Sequence, residues 1–162
     1  MVQFRAIDRR RNPQQLMRQF TQNKEQLQKE VYREIAEEIA DVTRQAAIRA
    51  ENPRRGAVDT GTYARNQDVA LRSGSFSGDA SSHGKTRGVA PGPPIRAGLN
   101  QMLEGIESLP PKADNVVFRN HAAHAGIVER DYKIYAQARN TAPQIIKSVA
   151  ARLGLTPKGG GK

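Results

Sequence analysis

Ala57-Val58-Asp59-Thr60-Gly61-Thr62-Tyr63-Ala64-Arg65 joins two segments of opposite periodicity, and its reading decides the fold. Asp59 and Thr60 can hydrogen-bond nearby backbone N–H groups, and Gly61 takes positive φ without steric cost. The stretch therefore predicts a tight corner in which the chain leaves a helix and enters a sheet.

Upstream, Leu16, Phe20, Leu27, Val31, Ile35, Ile39, Val42 and Ala46 recur at spacings of three, four or seven, an amphipathic helical pattern. Asn12-Pro13 supplies an N-cap and a first-position proline, with Gln15 placed for a capping-box contact. Asn52-Pro53 ends the pattern, because proline disfavours α geometry in the residue before it. Arg18, Asn23 and Lys24 interrupt the stripe and predict a break near residue 22. At 1.5 Å per residue the helix reaches roughly 55–60 Å, more than a domain of this size can cover. Its N-terminal half is expected to project or to pack on another subunit.

Downstream, Asn66 to Arg72 alternates, with Val69 and Leu71 on one face and Asp68, Ala70 and Arg72 on the other, as in a strand. Residues 73–94 are Ser, Gly and Pro with scattered charge, a long flexible loop. Ile95, Leu99, Met102, Leu103 and Ile106 form a short amphipathic helix closed by Pro110-Pro111. Asn115 to Asn120, with two valines and Phe118, is the strongest strand. Ile127 and Val128 lie in a short helix. A last helix carries Ala142, Ile145, Ile146, Val149, Ala150 and Leu153, with Thr141 as its cap and Gly154 as its stop.

The fold class is α+β: a long N-terminal helix packed on a small antiparallel sheet, with two or three shorter helices. The organisation is a basic arm (1–12), one domain (13–154, loop 73–94) and a flexible basic tail (155–162). Aromatic residues make up 5% of the 162 residues and Trp is absent, so the core is small and part of the chain is expected to be buried only against partners.

Twenty-six Lys and Arg oppose sixteen Asp and Glu, a net charge of +10, which favours polyanions or an acidic protein partner. The basic residues Arg9, Arg10, Arg11, Arg54, Arg55, Lys85, Arg87 and Arg96 lie in arms and loops without interleaved aromatics. They are the candidates for facing DNA or a partner, through salt-sensitive, sequence-independent contacts. Cysteine is absent, which removes disulfide and thiolate chemistry. No run approaches the roughly 20 apolar residues of a membrane span, and the N-terminus lacks an apolar signal core.

His121 and His124, three apart near Glu129 and Asp131, would share a face if helical, but no second ligand cluster supports them. No serine sits in a nucleophile elbow and no glycine-rich stretch forms a phosphate loop. Glu37, Glu38 and Asp41 read as a solvated helix face. The chain is therefore expected not to be an enzyme, and no cofactor or metal is expected.

Three blocks in this order resemble a known family. Val58-Asp59-Thr60-Gly61 with Tyr63 and Arg65 follows a long helix. A strand and a variable loop come next. Asn120 then ends the second strand, with Ala125 and Glu129 beyond it, and Arg139-Asn140-Thr141 precedes the apolar helix. The order is similar to the tail-completion and head–tail joining proteins of long-tailed bacteriophages, the family similar to gene product 10 of phage HK97. Its members show V-D-T-G-x-L-R, a strand ending in Asn, and Y-A-x-x-x-E-x-G. Here His124-Ala125 stands in place of Tyr-Ala, and Arg130-Asp131 replaces the last Gly.

The resemblance covers about residues 15–153. It implies a structural virion subunit in a homo-oligomeric ring, a hexamer with a dodecamer as alternative, at the neck between head connector and tail tube. It places the chain in the virion, and in the host cytoplasm during assembly. It implies the head connector or adaptor and the tail terminator or tube as partners, with non-specific contact to genomic DNA in the lumen. The alternatives are a tail terminator or connector-adaptor ring of different symmetry and, in another class, a basic nucleic-acid-binding module.

Overall fold

A computed structural model describes residues 13–49, 61–74 and 90–155. In chain order its elements are α1 (Pro13–Arg49), α2 (Thr62–Arg65), β1 (Gln67–Leu71), α3 (Gly92–Glu107), β2 (Val116–Asn120), α4 (Ala125–Tyr132) and α5 (Ile134–Arg152). The expected α+β class holds at that level: a long N-terminal helix, further helices, and one two-stranded antiparallel sheet. No helix among the described residues is long and apolar enough to cross a membrane.

α1 runs unbroken for 37 residues, so the break expected near residue 22 is absent. The segment holds no internal Pro or Gly, and Arg18, Asn23 and Lys24 are tolerated on an open helix surface. Its C-terminal half carries the core. Ala36, Ile39, Ala40 and Ala46 bury against Tyr63, Val69, Met102, Ile106 and Ile134. One turn earlier, Val31 packs on Ile145, Val149 and Leu153 of the returning α5. Val31 is the first buried side chain among the described residues, whereas Gln14, Gln15, Met17 and Arg18 are exposed, Met17 by 68%. Gln14, Gln15, Met17 and Arg18 thus form an exposed overhang at the start of α1, while Thr21, Asn23, Glu25 and Gln26 are half-buried.

Ion pairs flank this seam: Arg33 and Lys29 with Glu107 of α3, and Arg152 of α5 with Glu34 (2.6 Å) and Glu30 (3.6 Å). Open to solvent on their arginine and lysine side, these pairs are screened and add little to stability.

α3 begins at Gly92, with prolines in its first turn. Residues 92–94 therefore belong to the helix and not to the expected loop: a proline here gives up an N–H that the first turn does not use. Residues 75–89 of that loop lie outside the described residues. Ile95, Met102 and Ile106 face the core, as the spacing predicts. Gly98 and Gly105 share the buried side and let the helix press against α2 and β1. A Cβ on Gly98 would come within 1.9 Å of the Ala64 carbonyl oxygen, and one on Gly105 within 2.4 Å of that of Val69.

The strands pair Gln67 with Asn120 through Leu71 with Val116. One face packs inward, where Phe118 meets Tyr32 edge-on at 6.1 Å. The polar start of β1 is also buried: Gln67 and Asp68 are 2% and 3% exposed.

The final helix differs from its expectation. α5 starts at Ile134, after Lys133 in the left-handed region (φ 52°). Thr141 is therefore internal and not a cap, and its hydroxyl donates to the Gln137 carbonyl (3.2 Å) and to Glu38 Oε1 (3.0 Å). Pro143 sits inside the helix. It is tolerated because the bond it forgoes, to the Arg139 carbonyl, lies on the exposed side, where water can donate to the freed oxygen. Gly154 ends the helix at φ 68°, as expected of a C-terminal glycine.

Candidate functional site

Gly61 has φ 72° and caps α2, with Pro94 of α3 seated against it. The left-handed residue that the sequence places here is thus in position. Val58, Asp59 and Thr60 lie outside the described residues.

The one-turn helix after Gly61 directs Tyr63 inward, where it is fully buried. Its hydroxyl donates to Glu129 Oε1 at 2.8 Å. Its carbonyl oxygen accepts from Asn120 Nδ2 at 2.8 Å, while Asn120 Oδ1 accepts the Ala122 N–H at 2.9 Å. Tyr63 therefore bonds directly to two other positions of the resemblance, 57 and 66 residues away in the chain. Ala125 is the half-buried first residue of α4, bonded through its N–H to the Ala122 carbonyl, and Arg65 is exposed beside the corner.

Glu129 has a second role. Both its oxygens accept the Tyr135 N–H, at 3.1 and 3.2 Å. Tyr135 is the second residue of α5, so a side chain of α4 caps the next helix, and its negative charge sits at the positive end of the helix dipole. This contact accounts for the reversal at Lys133, which brings the start of α5 back over Glu129. The Tyr135 hydroxyl donates in turn to Gln67 Oε1. Asn66 closes the corner, its Nδ2 donating to the Thr62 carbonyl at 2.7 Å and its own carbonyl accepting the His121 N–H at 3.0 Å. Gln67 Nε2 is buried without a hydrogen-bond partner among the described residues.

Burial, with the neighbouring Tyr135 and the Glu129 charge adding to it, pushes the Tyr63 hydroxyl far above its usual range. Burial and the nearby Glu129 and Asp68 carboxylates do the same to Tyr135. Both remain protonated donors at neutral pH. The arrangement joins α2, the end of β2, α4 and α5 into one hydrogen-bonded knot.

The other candidates are not gathered here. Arg9, Arg10, Arg11, Arg54, Arg55, Lys85 and Arg87 lie outside the described residues, and Arg96 is exposed on α3. His121 precedes α4 and His124 is its N-cap residue, so the two do not share a helix face. No group of three or more metal-ligating side chains occurs among the described residues.

Sequence reasoning missed Gln67 and Tyr135, which bond each other across 68 residues, and Asp68, which is buried and accepts the Val69 N–H. It also missed Gly98 and Gly105, although two glycines seven apart among Ile95, Met102 and Ile106 signal close helix packing. Comparison of the chain with protein-family models, curated proteins and solved structures finds no match.

Proposed function

We propose that this chain is a structural virion protein of a long-tailed bacteriophage, a tail-completion subunit that forms a ring at the neck and joins the head connector to the tail. The observation that carries the proposal is the bonding of Tyr63 to both Asn120 and Glu129. Positions that resemble the family at separate points of the chain act as one unit, as expected when a motif encodes a fold rather than isolated likenesses. The α1 overhang adds support, because a helix that outruns its own core gains cover when a neighbour packs on it. The basic arms and loops then face an acidic connector or the DNA in the lumen.

Native mass spectrometry of the purified protein, with mass spectrometry of phage particles, tests this reading. A ring-sized complex and presence in particles are expected; a strict monomer absent from particles would overturn it. The copy number separates the hexamer from the dodecamer and from a connector-adaptor ring of other symmetry. A salt titration of DNA binding addresses the basic-module alternative, which requires affinity tighter than the roughly 10⁻⁴–10⁻⁶ M of non-specific contacts.

A further inference from the structure

The two edges of the sheet differ. The Arg72 N–H bonds the Asn115 carbonyl at 2.9 Å, and the His121 N–H bonds the Asn66 carbonyl at 3.0 Å. Together with the register, these bonds set the phase of the antiparallel ladder. Gln67, Val69 and Leu71 turn their backbone groups away from β2, while Val116 and Phe118 turn theirs away from β1.

The β1 edge is closed. Asp68 Oδ1 accepts the Val69 N–H at 2.7 Å. The Val69 carbonyl abuts Gly105, and the Leu71 carbonyl accepts the Gly74 N–H at 2.8 Å. At the β2 edge, the outward N–H and C=O groups of Val116 and Phe118 have no hydrogen-bond partner among the described residues. Strand edges of this kind are normally blunted by proline, charge or a covering element. An open one presents a template for a further strand.

We propose that the β2 edge is a docking site for an extended, acidic segment of another protein, which adds to the sheet as a third strand. Charge selects this occupant. Arg72, Asn115, Val117 and Arg119 share the outer face of the sheet, by register and alternation. They line a groove of about 420 Å³ along β2, and an adjoining groove of about 450 Å³ extends it past Arg72 to Asp114. Arg119 stands opposite the buried Asp68, Asp114 is the one acidic residue among the described residues that line either groove, and Arg72 is exposed. A second copy would bring its own Arg72 and Arg119 to the same face, in a chain of net charge +10, and like charges across strands are unfavourable. An acidic strand supplies the missing backbone partners and pairs with Arg72, while an apolar residue at alternate positions covers Val117. The edge can serve in this way whether or not the chain is a virion component.

The test titrates the full-length protein with an extended peptide alternating Glu and Val, and with its Lys-for-Glu counterpart, at low and high salt. Val116→Pro removes an outward N–H and itself no ladder bond, because Val116 faces Leu71 in a non-hydrogen-bonded pair, but it also restricts Asn115, which sits at φ 60°. Arg72→Glu reverses the charge at an exposed position and retains its value if the proline variant fails to fold. Expected are salt-sensitive binding of the acidic peptide alone, slowed amide exchange at Val116 and Phe118 in the complex, and a loss of about tenfold or more in Arg72→Glu. Failure of the acidic peptide to bind, equal binding of the basic peptide, or unchanged affinity in Arg72→Glu would each overturn the proposal. So would self-association through this edge that Val116→Pro abolishes.

Discussion

Gly61 shows how much one residue commits. Its φ of 72° favours glycine over residues with a side chain, and a Cβ would stand 3.1 Å from Pro94 Cβ. Gly61→Val should lose about 1–3 kcal/mol from backbone strain, with additional crowding against α3, read as a lower midpoint in thermal unfolding followed by circular dichroism. This conformation is legible in the sequence, because Asp-Thr-Gly between a helical and an alternating segment requires a residue of that freedom. The role of Tyr63 is not. A tyrosine near a turn looks the same whether its hydroxyl meets water or a carboxylate 66 residues away. Tyr63→Phe should cost about 1–3 kcal/mol by leaving Glu129 short of a donor. A double-mutant cycle with Glu129→Gln should return a coupling energy of at least about 0.5 kcal/mol; strict additivity would show that the bond contributes nothing.

At the scale of elements, the helices and strands could be read wherever periodicity is long or β-branched residues cluster, as in α1, β2 and the second half of α5. The ends were less legible. The start of α5 depends on Glu129 reaching its first turn, a contact between neighbouring helices with no local signature, so Thr141 had the better credentials as a cap. The burial of Gln67 and Asp68 was hidden for a related reason: polar residues in a short strand read as its wet face until α3 and Tyr135 cover them. α3 offers a paired test. Gly98→Ala should destabilise by about 1–3 kcal/mol despite a gain in helix propensity, because its methyl meets the Ala64 carbonyl. Gly126→Ala, in α4, meets nothing within 4 Å and should be neutral or stabilise by up to about 1 kcal/mol. Comparison of chemical denaturation midpoints decides both.

For the whole molecule, two properties follow from the way α1 and the knot are used. Removing residues 1–26 deletes the overhang but none of the core side chains named above, so the truncated protein should keep its unfolding midpoint within a few degrees. If the overhang packs on neighbours, the truncated protein should also sediment as a smaller species than the full chain; a lower midpoint with unchanged assembly would contradict this division of labour. The tyrosines set the response to pH. Their folded-state pKa values are raised, so the folded chain binds protons more tightly than the unfolded one. The stability this gives is fully present below the ordinary tyrosine value of about 10 and is lost as pH rises beyond it. Tyrosinate absorbance from Tyr63 and Tyr135, assigned with the two Phe variants, should therefore appear together with loss of the helical signal. The register has a further consequence, during synthesis. Gln67 pairs with Asn120, and α3 is made between them. At about 5–20 residues per second the ribosome needs roughly 3–10 seconds to deliver the partner strand. For that interval β1 lacks its strand partner, and α3, the element that packs on it in the folded chain, is made first.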